Sequence, residues 1–143
     1  MSIQMNPYLN FNGNSEEAFT FYKSVLGGDF AVVMRFSDSL ECGGMTEADK
    51  NKVMHIALPI GESGMLMASD TVEAMGQKLN PGNNFYISLS PNSRDEADHI
   101  FGGLSDGGKV EMPLTDMPWG YWGCFADKFG IQWMVNVSNG QPA

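Results

Sequence analysis

The chain has 143 residues, 43% of them hydrophobic and 17% charged, with a formal net charge of −9. That length suits one domain with a sizeable core. Eight Lys and Arg against seventeen Asp and Glu exclude a nucleic-acid-binding surface and disfavour an anionic membrane. No apolar run approaches the ~18 residues of a membrane span. The opening MSIQMNPYLNF lacks the basic and apolar regions of a signal peptide. Cys42 and Cys124 form neither a disulfide framework nor a C-x-x-C pair, which fits a reducing cytoplasm.

In chain order, PYLNF (7–11) reads as a short strand and NSEEAFTFYKSVLGG (14–28) as a helix. Asn14 and Glu17 have capping-box spacing. Ala18, Phe21, Tyr22, Val25 and Leu26 form an apolar stripe. Strands are predicted at DFAVVMRF (29–36), VMHIALPI (53–60) and GMLMAS (64–69). Between the first two lies a long insertion, SDSLECGGMTEADKNK (37–52), which reads as a lid or a solvated loop. Turn-forming residues at 71–83 then link to a second set of elements.

That second set repeats the first. FYISLS (85–90) reads as a strand and NSRDEADHIFGGLSDGG (92–108) as a helix with Ser93 and Glu96 at capping-box spacing. One offset carries Asn14 to Asn92 and Leu26 to Leu104. Strands are predicted at KVEMPL (109–114), WGYWGCF (119–125) and IQWMVNV (131–137). The expected architecture is α+β, with two β-α-β-β-β modules at 1–70 and 84–143. Their curved, barrel-like sheet would surround a cleft, with the helices outside.

PYLNFNGNSEEAFTFYKSVLGG, VMHIALPIGESGMLMASD and GGKVEMPLTDMPWGYWGCFADKFGIQWMVN together cover most of the chain. They resemble the glyoxalase/bleomycin resistance/extradiol dioxygenase (vicinal oxygen chelate) superfamily. The similarity is greatest to its PhnB-like branch, whose members are often labelled 3-demethylubiquinone-9 3-methyltransferase. The resemblance implies paired modules around a cleft and a homodimer. Metal-dependent members take His, Glu or Gln ligands from the first and last strand of each module. The matching positions here fall near Asn6, Pro7 or Tyr8, near Met67, near Phe85 and near Met134. None is His, Glu or Asp, and thioether sulfur is a poor ligand for hard divalent ions. No metal and no other cofactor is expected. The methyltransferase label finds no support, since no glycine-rich loop follows a strand and opens a helix.

His55 lies mid-strand and is the best acid–base candidate, because histidine exchanges protons near neutral pH. His99 sits among acids on a helix. Asp70, Glu62 and Asp127 fall in turns, and Asp127 is expected to order the D-K-F-G turn. Cys124 has no basic neighbour closer than Lys128 and reads as a buried strand residue. Eleven methionines and three clustered tryptophans suggest an adaptable, apolar binding surface. Strand alternation puts Trp119, Tyr121 and Gly123 on one face and Trp122 and Cys124 on the other.

The expected function is metal-free binding of a small molecule. Tyr8, Asn10, Met67, Ser69, Phe85, Trp119, Trp122, Trp133 and Met134 are the expected ligand-binding residues. The alternatives are an isomerase or lyase with His55 as acid–base group, and a divalent-metal enzyme with displaced ligands. A His55 that faces the site beside a second polar group would favour the isomerase or lyase. A His55 packed under a helix would remove it.

Overall fold

The computed structural model describes residues 2–39 and 43–139. The chain divides into two compact units, Met1–Asn80 and Pro81–Ala143.

Unit one runs β1 (Tyr8–Phe11), α1 (Ser15–Leu26), β2 (Val32–Arg35), α2 (Glu47–Lys50), β3 (Val53–Ile60) and β4 (Gly64–Asp70). The sheet order is β1-β4-β3-β2. The outer pair β1–β4 is parallel and the other two pairs are antiparallel. Strand alternation decides what α1 covers. Leu9, Phe11, Ile56, Leu58, Leu66 and Ala68 are buried on one face. Against them α1 lays Ala18, Phe19 and Tyr22, and Phe11 meets Phe19 edge to face at 6.3 Å between ring centres.

The expected Asn14 cap is absent, for Asn14 makes no side-chain hydrogen bond to the helix. Asp70, from the far end of β4, takes its place. Its Oδ1 accepts from the Ser15 amide at 2.9 Å and its Oδ2 from the Val53 amide at 2.9 Å. One buried carboxylate thereby ties the start of α1, the start of β3 and the end of β4.

The described parts of the insertion after β2 carry local structure. A 3-10 turn spans Phe36–Asp38, and Thr46 caps α2 by accepting from the Asp49 amide. Arg35 holds Glu16 of α1 by two hydrogen bonds, at 2.8 and 3.0 Å. Cys42 lies outside the described residues.

Unit two runs β5 (Ile87–Leu89), α3 (Arg94–Leu104), β6 (Lys109–Met117), β7 (Gly120–Ala126) and β8 (Gln132–Ser138). Its order, β5-β8-β7-β6, repeats that of unit one, with β5 parallel to β8. Ser93 caps α3 as its spacing predicts. Phe125, Trp133 and Val135 are buried together with Ala97, Ile100, Phe101 and Leu104 of α3. Phe101 and Phe125 meet edge to face at 4.9 Å. Gly123 is glycine for a packing reason. A Cβ there would lie 2.8 Å from backbone atoms of Met112 and Leu114 and 2.9 Å from the Phe101 ring.

Strand β6 is longer than the predicted 109–114. It passes through Pro113, which has no amide hydrogen to donate, and the register shifts on both sides of Met112. An edge strand with bulges accommodates such a proline. The barrel-like surface expected from the sequence takes the form of two four-stranded sheets, neither of them closed into a barrel.

Candidate functional site

Each sheet has a second face, turned away from its helix. On sheet one, alternation sends Tyr8 and Asn10 of β1, Met65, Met67 and Ser69 of β4, His55 of β3 and Met34 of β2 to that face. The register sets Tyr8 beside Met67, Met67 beside Ala57, and Asn10 beside Ser69. These strand residues include no carboxylate, lysine or arginine. Five of the sequence-predicted residues therefore meet on one surface: Tyr8, Asn10, His55, Met67 and Ser69.

Polar groups on this face occur in pairs. The Tyr8 hydroxyl lies 3.0 Å from His55 Nδ1. The two rings are stacked, 5.6 Å apart at an interplanar angle of 21°. Tyr8 is 46% exposed, so the pair is open to a ligand. Close by, Ser69 Oγ donates to Asn10 Oδ1 at 3.3 Å. His55 is thus not packed under α1, and it has a polar neighbour. When the phenol donates to Nδ1, the proton on the imidazole sits at Nε2.

On sheet two, Met134 is flanked in register by Ser88 and Cys124. Trp122 pairs with Asn136, whose side-chain oxygen is buried without a hydrogen-bond partner. A bound donor would satisfy that acceptor. Trp119 precedes β7 in a turn, so strand alternation does not apply to it. It meets Trp122 edge to face at 6.0 Å, in contrast to the opposite faces that alternation implies. Trp133 lies on the helix side, 1% exposed, and its Nε1 donates to Asp127 Oδ2 at 2.8 Å. Trp133 is a core residue of this unit. Phe85 is exposed just before β5, where its carbonyl accepts from the Gln132 side chain.

Sequence reasoning missed the pair formed by Tyr86 and Glu111. The Tyr86 hydroxyl donates to the Glu111 carboxylate, at 2.9 and 3.1 Å. That hydrogen bond and the nearby negative charge raise the phenol's pKa. The signal was available, because the offset that carries Asn14 to Asn92 also carries Tyr8 to Tyr86. Burial, followed by the charge of Glu111, raises the pKa of the Cys124 thiol. That thiol is therefore a poor nucleophile.

The donors at the superfamily's ligand positions can be judged by their chemistry. Asn6 Oδ1 accepts from the Met65 amide, while Met67, Phe85 and Met134 present thioethers and a phenyl ring. Among the described residues, no group of three or more His, Cys, Asp and Glu comes together. These residues do not fit a hard divalent ion.

The family model described as the glyoxalase/bleomycin resistance protein/dioxygenase superfamily matches residues 4–135. The chain belongs to this superfamily. It is 29% identical over 149 residues to Protein YjdN of Escherichia coli K12, covering 98% of this chain and 99% of that protein. Protein PA1353 of Pseudomonas aeruginosa, a crystal structure, is 41% identical. It superposes with a TM-score of 0.84 over 96% of this chain and 98% of that one. A PhnB protein of Bacillus cereus, described as a 3-demethylubiquinone-9 3-methyltransferase, shares the fold at 22% identity. Its TM-score is 0.74, with 95% of this chain and 100% of that one covered. Among the described residues, no helix is long and apolar enough to cross a membrane.

Proposed function

We propose that the protein is a PhnB-like, small-molecule-binding member of this superfamily that works without a metal ion. The observation that carries this reading is the surface around Tyr8 and His55. An apolar, methionine-rich face with two polar pairs and no charged side chain among the strand residues named on it suits an uncharged, flat or apolar ligand. Met34, Met65 and Met67 would adapt to its shape, and Tyr8, Asn10, His55 and Ser69 would orient it. The outward face of sheet two carries apolar residues of its own, Phe85, Trp119, Trp122 and Met134, and the buried Asn136 oxygen as an acceptor. We place the protein in the cytoplasm as a homodimer. The lack of a disulfide framework supports the first, and exposed apolar residues on the edge strands, Val32, Val33 and Val110, support the second.

A thermal-shift screen of uncharged aromatic and apolar compounds in excess chelator tests the binding reading. A ligand that binds only the folded chain raises the melting temperature by mass action. The shift should survive chelation and fall in His55→Ala and Met67→Ala. Ligands that act only when a divalent ion is added back would reject it.

A second reading, proton transfer of isomerase or lyase type, is favoured by the 3.0 Å contact between Tyr8 and His55 Nδ1. In the tautomer in which Nδ1–H donates to the Tyr8 oxygen, Nε2 is free to take a proton from a carbon next to a carbonyl and return it elsewhere on the substrate. Under this reading, Tyr8→Phe lowers kcat more than it raises KM. Under the binding reading no turnover is detected with any ligand that the screen finds.

A further inference from the structure

The outward face of sheet two carries a second arrangement, which shares only Met134 with the apolar residues named above. Met112 pairs with Cys124, and Cys124 pairs with Met134, so β6, β7 and β8 each contribute one sulfur side chain to one row. Directly paired residues on neighbouring strands share a face, with Cβ atoms roughly 4.5–5.5 Å apart. A thiol is thus flanked by two thioethers. Cys124 points away from α3, yet it is only 7% exposed. Tyr86, on the chain entering β5, hydrogen-bonds Glu111 on β6. Strands β5 and β6 are the two edges of this sheet. The Tyr86–Glu111 bridge therefore crosses β8 and β7 on the face that holds the sulfur row. Glu111 occupies the register irregularity between Val110 and Met112, next to the row. Met112 is 41% exposed and gives access from the edge.

Thiolate and thioether are soft donors, suited to soft closed-shell ions and unsuited to magnesium, calcium or manganese. When a monovalent ion replaces the thiol proton, the S–H bond breaks, an S–metal bond forms and the proton leaves to solvent, so the net charge of the strip is unchanged.

We propose that Met112, Cys124 and Met134 bind one soft monovalent metal ion of the copper(I)/silver(I) class, beneath the Tyr86–Glu111 bridge. The test adds silver(I) alone, as the nitrate in chloride-free buffer, to the full chain carrying Cys42→Ser, so that Cys124 is its one thiol. Native mass spectrometry should find one silver per chain, retained against excess free methionine. Met112→Leu and Met134→Leu should each weaken retention at least about tenfold, Cys124→Ser should abolish it, and Met75→Leu should leave it unchanged. These leucine substitutions conserve volume, so the Met112→Leu, Met134→Leu double variant decides the matter even if Cys124→Ser does not fold. A double variant that holds silver as tightly as its parent would reduce the site to a lone thiol and overturn the proposal. So would a parent chain whose silver is stripped by free methionine.

Discussion

Asp70 and Asp127 are both buried, and both spend their carboxylates on groups that would otherwise lack partners. Asp70 accepts from the Ser15 and Val53 amides. Asp127 accepts from the Phe129 and Ile131 amides through Oδ1 and from the Trp133 indole through Oδ2. Leaving a buried donor unsatisfied costs about 1–3 kcal/mol. Asp70→Ala and Asp127→Ala should therefore each destabilise the fold by on the order of 3 kcal/mol in urea unfolding. Asn14→Ala should change stability by less than about 0.5 kcal/mol, because Asn14 makes no cap. The role of Asp127 was legible in the sequence, since a D-K-F-G turn is a local motif. The role of Asp70 was not, because its partners are set by the fold and lie far from it along the chain. At Asn14 the capping-box spacing pointed to the wrong residue.

At the level of elements, strand alternation carried most of the information. The predicted spans 53–60 and 64–69 match β3 and β4 closely, because the apolar alternation runs through both, even though β3 carries Pro59 near its end and shifts register against β2. The end of β6 was not readable, since its bulges depend on how an edge strand accommodates Pro113. Gly123 is a packing glycine, and Gly123→Ala should cost about 1–3 kcal/mol by forcing β6 or Phe101 aside. The tryptophans show the limit of alternation as a guide. Trp133 and Met134 take opposite faces of β8, and α3 covers the face of Trp133, a choice that spacing alone does not make. Trp119 sits in a turn, so its neighbour Trp122 could not be inferred from spacing. The Tyr8–His55 contact joins β1 to β3 across β4 and was invisible without the strand order. Tyr8→Phe should leave the melting temperature within a few degrees and move the His55 ring-nitrogen resonances in NMR. Unmoved resonances would show that the contact is not formed in solution.

For the whole chain, the internal repeat and the family motifs made the fold legible, and the superfamily match over residues 4–135 agrees with them. Function was less legible, because this superfamily uses one scaffold for several chemistries and the deciding residues are single side chains on the sheet faces. The donor types at the superfamily's ligand positions predict that zinc, nickel or manganese will not raise the melting temperature. A stoichiometric shift with any of them would contradict the metal-free reading. The central claim is that a small molecule binds the Tyr8–His55 face of sheet one without a metal. Its most direct test is an NMR titration of methyl-labelled methionine in excess chelator, using a compound from the thermal-shift screen. The account predicts saturable shifts of the Met34, Met65 and Met67 methyl signals, lost in His55→Ala. Shifts confined to other methionines, or shifts that appear only when a divalent ion is restored, would contradict it.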